Sequence, residues 1–310
     1  METAYLLASK IAELTLIVLM GATLVKCKLL QSENSYPLSI IALYLISPSV
    51  MIHAFQIDYT PEIAQGLWLS LKLAVMFHIL LIILGKLFKK LFKLDALEQA
   101  ATVYSNSGNL IIPLVTAIFG QQWVIYTSGF IIVQIFLFWT HLRLLISGSG
   151  KSSWKTILTN INILSMLFGI LLFALQIKLP RIVDGTLSTV GSMIGPVAML
   201  IAGMLIGSLP LKSILLSVRI YLVAFLRLIL VPLILLGVVK LSGFVQQDTI
   251  SHTVVLISFL ATISPAAATV TQMALVYGQN AQKASAIYGV TTLLCILTMP
   301  LVIALYQWII

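Results

Sequence analysis

Ser105-Asn106-Ser107-Gly108-Asn109-Leu110-Ile111-Ile112-Pro113 interrupts a segment that is otherwise apolar and long enough to cross a membrane. Serine, asparagine, glycine and proline crowded together are poor material for a continuous helix. Glycine costs backbone entropy, and proline removes an N–H and clashes with the preceding turn. Asparagine and serine compete for backbone hydrogen bonds. In lipid each freed backbone group must find a partner, so irregular backbone is tolerated only where it is buried in protein or lines a cavity. One reading is a helix kinked at Pro113 and packed by small residues. The other is a discontinuous helix that forms a binding site at mid-membrane.

A second stretch favours the discontinuous helix. Ile263-Ser264-Pro265-Ala266-Ala267-Ala268-Thr269 interrupts another apolar segment late in the chain. Laying Phe119-Gly120-Gln121-Gln122 over Tyr277-Gly278-Gln279-Asn280, an offset of 158, places Asn106 on Ser264 and Ser107 on Pro265. Two broken segments at matching places in two halves point to a transporter's substrate site.

Composition agrees. The chain has 310 residues, of which 60% are hydrophobic and 9% charged, and its mean hydropathy is +1.10. Soluble domains carry roughly a quarter charged residues. The fold class is therefore all-α, polytopic and membrane-embedded; a transmembrane barrel would alternate apolar and polar residues over short segments. The first apolar segment carries Lys10 and Glu13 and runs on into a second span, so no cleaved signal peptide is expected. Cys27 and Cys295 lie far apart, which argues against a disulfide, and no metal-ligand spacing appears. The net charge of +9 sits mostly in loops, where it sets topology rather than binding nucleic acid.

Ten spans are read, at about 5–25, 38–57, 62–86, 97–119, 122–146, 157–176, 185–207, 212–238, 250–276 and 284–308. The odd-numbered loops hold eleven basic residues, from Lys26 to Lys283, against Lys178, Arg181 and Lys240 in the even ones. The positive-inside rule then predicts a multi-pass protein of the cell (plasma) membrane with cytoplasmic odd loops and both termini extracytoplasmic. Five spans per half give the halves opposite orientation, the condition for an inverted repeat. Pro48 falls on Pro196 at an offset of 148, and Ser70-Leu71-Lys72 on Ser217-Val218-Arg219 at 147. The organisation is a first repeat at 1–147, a short cytoplasmic linker at 148–156 and a second repeat at 157–310.

Ser264 suits a helix N-cap and Pro265 a first helical position, so a half-helix is expected to begin there with free N–H groups at Ala266 and Ala267. By the repeat, Asn106 caps the matching half-helix in span four, with Ser107 and Gly108 in its first turn. Two helix N-termini meeting at one point suit an anion, most simply a carboxylate. Asn109, Thr269, Thr271 and Gln272 lie close enough to add side-chain contacts. Lys72 and Arg219 occupy equivalent repeat positions, and Arg227 lies deeper in span eight. Lys72 and Arg227 either balance an anionic substrate or fix helix packing. His53, His78 and His141 read as packing or hydrogen-bonding groups. Lys10 and Glu13 look like a local pair, and Glu13 reads as the one carboxylate well inside a span. Gly191 with Gly195, and Gly203 with Gly207, allow close helix approach within one chain or between two. No nucleophile elbow, phosphate loop or zinc motif appears, and no enzyme is expected.

These residues resemble a known family. Asn106-Ser107-Gly108-Asn109-Leu110-Ile111-Ile112-Pro113-Leu114 is similar to the broken fourth helix of the auxin efflux carrier family, which includes plant carriers and bacterial permeases. Gly195-Pro196-Val197-Ala198-Met199-Leu200-Ile201-Ala202-Gly203-Met204 resembles its seventh helix. Ser264-Pro265, Tyr277-Gly278 and Thr298-Met299-Pro300-Leu301 resemble its ninth and tenth. Loop five is short here, which favours a prokaryotic-type member. The resemblance implies ten helices in a 5+5 inverted repeat, with broken helices 4 and 9 crossing at the substrate. Helices 1, 2, 6 and 7 would form a scaffold, often dimeric, and helices 3–5 and 8–10 a transport domain moving as an elevator. Asn106 matches the residue that contacts the substrate carboxylate, while Ser264-Pro265-Ala266-Ala267 offers no side-chain amide. The implied partners are a small organic acid, the bilayer and a second copy of the chain. No cofactor is implied, and coupling to H+ or Na+ stays open. The alternatives are a sodium-coupled carrier like the bile acid–sodium symporters and, in another class, a ligand-binding membrane sensor.

Overall fold

The computed structural model describes residues 2–148, 159, 161–208, 217–243 and 249–310, and these are helical almost throughout, with no strand. In chain order the helical elements are α1 (Glu2–Lys26), α2 (Ser32–Ala54) and α3 (Pro61–Phe92). Two short helices follow, α4 (Ala96–Val103) and α5 (Ser107–Phe119), then α6 (Gln121–Ser147), α7 (Ile161–Ala174) and α8 (Arg181–Gly207). The chain closes with α9 (Val218–Ser242), α10 (Thr249–Ile263), α11 (Ala268–Val276) and α12 (Ala281–Ile309). Six of these, α2, α3, α6, α8, α9 and α12, are long and apolar enough to cross a membrane. The protein is a multi-pass membrane protein. Spans four and nine are each found as two helices, α4 with α5 and α10 with α11. The expected linker 148–156 lies, after Gly148, outside the described residues. So do the expected starts of spans six and eight, and the Lys10 side chain of the expected Lys10–Glu13 pair.

Local sequence sets the helix ends. Thr60 Oγ1 accepts from Ile63 N at 3.3 Å, and Pro61 follows at the first helical position of α3. Asp95 and Glu98 form a reciprocal capping box at the start of α4, with bonds of 2.9 and 3.0 Å. Asn280 Oδ1 accepts from Lys283 N at 2.9 Å to open α12. Two prolines shape the helices they interrupt. Pro48 follows a π turn at Ala42–Ile46, and Pro232 follows one at Leu226–Leu230. A proline removes one N–H and crowds the carbonyl a turn earlier, and a widened turn relieves that clash.

The closest helix packing joins α1 to the second half of α8. A Cβ added at Gly203 would strike Val18 O. One at Gly21 would meet Leu200 O at 2.5 Å, and one at Gly207 would meet Ala22 O at 2.8 Å. Gly191 packs on Val50 of α2, and a Cβ at Gly195 would meet Pro113 Cβ at 2.8 Å. All four glycines of the two small-residue pairs are thus taken up by contacts within the chain.

Long-range contacts sort the loops into two ends. At one end Lys283 Nζ reaches Asp95 Oδ2 at 2.5 Å, and Gln279 Nε2 donates to Ile146 O at 3.2 Å, joining loops three, five and nine. At the other, Lys178 pairs with Asp58 at 2.9 Å and Leu179 N donates to Gln56 Oε1 at 2.8 Å, joining loops two and six. The α1–α8 packing gives a direct test. Gly203→Val should destabilise the purified protein by about 1–3 kcal/mol through overpacking. Gly185→Ala, where an added Cβ meets nothing within 4 Å, should leave the thermal melting point unchanged or slightly higher.

Candidate functional site

The two breaks meet. After α4 the chain turns extended at Tyr104 (φ −98°, ψ 127°), and Ser105 forms an isolated antiparallel bridge with Ala266. Asn106 N donates to Pro265 O at 2.8 Å, and Ala267 N donates to Tyr104 O at 2.9 Å. Gln134 of α6 locks one side: its Nε2 donates to Ser105 O and its Oε1 accepts from Ser105 Oγ, both at 2.8 Å. Thr291 of α12 locks the other, accepting from Ala266 N at 3.2 Å.

This geometry corrects three expectations. The second half-helix begins at Ala268, not at Ser264-Pro265, because the extended pairing consumes residues 264–267. Ser264 is not its cap, and its hydroxyl bonds back to Leu260 O at 3.0 Å. The N–H groups of Ala266 and Ala267 are therefore not free; Thr291 and Tyr104 take them. Pro113 is not a helix break either. It lies inside α5, which runs through it, and the break sits at 104–106, where the backbone pairs across to the other half. Pro265 does lie in the break.

The helix N-termini that begin at the breaks are those of α5 and α11. Asn106 stands at the N-cap position of α5 but makes no side-chain cap. Its Nδ2 and the Ser107 Oγ are buried and meet no protein partner. The Asn106 amide lies beside the buried Tyr288 hydroxyl. A Cβ at Gly108 would meet nothing within 4 Å, so there is open space beside the first turn of α5. On α11, Ala268 and Thr269 occupy the first turn, where intrahelical acceptors run out. Thr271 Oγ1 is buried with no protein partner, and Gln272 is exposed. The Asn109 side chain lies outside the described residues.

The opposite ends of the broken helices face Arg227. It is fully buried, and its partners are backbone carbonyls: Thr102 and Val103 at the end of α4, Thr262 and Ser264 at the end of α10. Lys72 is exposed on α3 and takes no part in these contacts. Arg219 pairs with Glu98 and donates to Phe92 O and Lys93 O, each at 2.9 Å. Lys93 adopts a left-handed conformation (φ 51°) that ends α3 and turns these carbonyls toward Arg219. Lys283 also reaches Glu98, at 2.7 Å. Glu98 is thus a buried carboxylate shared by two cations, an arrangement sequence reading missed. Its D-x-x-E spacing marks only the local cap.

The histidines serve structure. His78 Nδ1 lies 2.7 Å from Ala74 O, and His141 Nδ1 lies 2.7 Å from the Tyr104 hydroxyl. His53 Nδ1 meets Asp184 Oδ1 at 2.6 Å. His53 also borders a cavity of about 230 Å³ between α2, α5 and α8, with Pro113, Thr116, Gln121, Ser188 and Ser192. The cavity starts at Ile112, roughly 8 Å along α5 from Ser107 at 1.5 Å per residue. Among the described residues no cluster of three metal-ligating side chains occurs.

A family model described as membrane transport protein matches the chain twice, over residues 6–155 and 149–303. A comparison with curated proteins gave no match. The sharing of Glu98 predicts strong coupling between its partners. Arg219→Ala or Lys283→Ala alone should cost about 1 kcal/mol or less, since one cation remains. The double variant should exceed their sum by about 1–3 kcal/mol, because it strands a buried carboxylate. A double-mutant cycle on denaturation of the purified protein reads this directly.

Proposed function

Because the chain belongs to the membrane transport protein family, which is auxin efflux carrier-like, we propose that it is a secondary transporter of a small organic anion. The substrate carboxylate binds where the two breaks cross. The observation that carries this reading is that α5 and α11 both begin where the breaks meet, beside the buried Asn106 Nδ2 and Ser107 Oγ, which have no hydrogen-bond partner. Helix N-termini attract anions through free N–H groups and the positive end of the dipole. Asn106 donates to the carboxylate, and Ser107, Gly108, Ala268 and Thr269 surround it. The uncharged surroundings suit a monovalent or divalent carboxylate whose charge the helix ends compensate.

The proposed architecture is ten spans in a 5+5 inverted repeat, with spans four and nine broken and crossing. The two family matches, each covering about half of the chain, support it. The proposed motion is an elevator of spans 3–5 and 8–10 against spans 1, 2, 6 and 7. Its support lies in how the contacts divide. Apart from Lys178–Asp58, whose Asp58 lies in the loop joining spans two and three, every long-range polar contact named above stays within one of those two sets. Between the sets, Pro113 of α5 packs on Gly195 of α8 with the cavity beside it, and α1 packs on α5 and α12. The proposed location is the plasma membrane, with the end bearing Lys283 and Arg219 in the cytoplasm and both termini outside.

A thermal-shift screen of organic acids on the purified protein tests the site. A carboxylate that raises the melting temperature should bind Asn106→Ala roughly tenfold more weakly or worse. The same acid should enter liposomes containing the parent protein and not the variant. Binding without flux would instead identify a membrane sensor, and binding undiminished in the variant would move the site away from the crossing.

A further inference from the structure

Arg227 presents a problem of charge. A buried cation needs compensation, and among the described residues no carboxylate supplies it: its Nε donates to Ser264 O at 3.0 Å, Nη1 to Thr102 O at 3.1 Å and Val103 O at 3.5 Å, and Nη2 to Thr262 O at 2.5 Å and Ser264 O at 2.8 Å. These carbonyls end two helices, α4 and α10. Each helix C-terminus carries about −0.5 of a charge, so two together carry about −1. One guanidinium balances that sum. Its planar fork also reaches both ends at once, which a point-like ammonium cannot do. The π turn at Leu226–Leu230, which precedes Pro232, carries the residue that reaches the ends.

In carriers built from discontinuous helices, unwound carbonyls and half-helix C-termini are the groups that coordinate a coupling sodium. We propose that Arg227 is a built-in counter-cation that occupies this carbonyl cage, so that the crossing needs no bound metal cation. The charge is covalently part of α9 and stays with the site through every cycle. The helix C-termini are closed by a fixed positive charge while the N-termini stay open, and the crossing is biased toward anions. This inference rests on the carboxylate-transporter reading for its consequence in transport, but its test does not use substrate.

The test is thermal melting of the purified protein in detergent, in sodium chloride against choline chloride at equal ionic strength. The parent should melt at the same temperature in both. Arg227→Ala should melt roughly 5–10 °C lower. Low-millimolar guanidinium chloride or added sodium should recover part of that loss, and choline should not. Arg227→Lys keeps a charge in the cage, and should melt below the parent yet remain insensitive to sodium. It serves as the second variant if Arg227→Ala does not fold. A sodium-specific rise in the parent or in Arg227→Lys would overturn the proposal. So would an Arg227→Ala protein that neither guanidinium nor sodium restores. A cation-restored variant combined with no organic-acid flux in the parent would leave this inference standing and remove the transport reading.

Discussion

Breaking two helices inside a membrane exposes N–H and C=O groups where no water can satisfy them, and the rest of the chain is arranged to supply partners. Each short extended segment solves part of the other's problem. Asn106 N bonds Pro265 O, and Ala267 N bonds Tyr104 O. The remaining groups recruit side chains from neighbouring helices: Gln134 at Ser105, Thr291 at Ala266, and Arg227 at the four terminal carbonyls. Among side chains at the breaks, Asn106 Nδ2, Ser107 Oγ and Thr271 Oγ1 stay buried without a hydrogen-bond partner.

Helix α4 shows how much of this is electrostatic. With eight residues it is too short to persist on its own. Asp95 and Glu98 sit at its positive end and Arg227 at its negative end, so charge opposes the dipole at both termini. Glu98 in turn draws in Arg219 from α9 and Lys283 from α12. The same short helix therefore ties the first half of the chain to helices of the second, and α9 grips it twice, at Arg219 and Arg227.

The breaks were legible in the sequence because they need special residues. Asn106, Gly108 and Pro265 stand out in an apolar segment, and the offset between halves placed them opposite one another. The membrane class and the family were legible for the same reason. The partners were not. Arg227 bonds to carbonyls, which every residue possesses, so nothing in the sequence marks where it reaches. Glu98 carries no mark in the sequence beyond the D-x-x-E spacing of a cap, and its two cations lie more than a hundred residues away. Thr291 and Tyr288 sit in an apolar helix without a distinguishing neighbour. The misplacement of the second half-helix start has a physical cause as well. Ser264-Pro265 fits a helix N-terminus by local preference, but the extended pairing with Tyr104 and Asn106 gives residues 264–267 partners that an early helical turn would forgo. Tertiary pairing outweighed local preference.

The glycines separate two kinds of contact. Gly21, Gly203 and Gly207 let α1 and α8 approach backbone to backbone, and a displaced register would drive side chains into carbonyls. Such an interface resists sliding. Gly195 meets the ring of Pro113 and, farther off, the Leu14 side chain, next to the cavity, and neither offers a donor to hold it in register. Dispersion and apolar burial are non-directional, so contacts of this kind change little when one surface shifts past another. Hydrogen bonds are directional, and those at the breaks hold α4, α5, α6, α9, α10 and α12 to one another. The described contacts therefore fall into two kinds: directional hydrogen bonds around the breaks, and close glycine packing between α1 and α8.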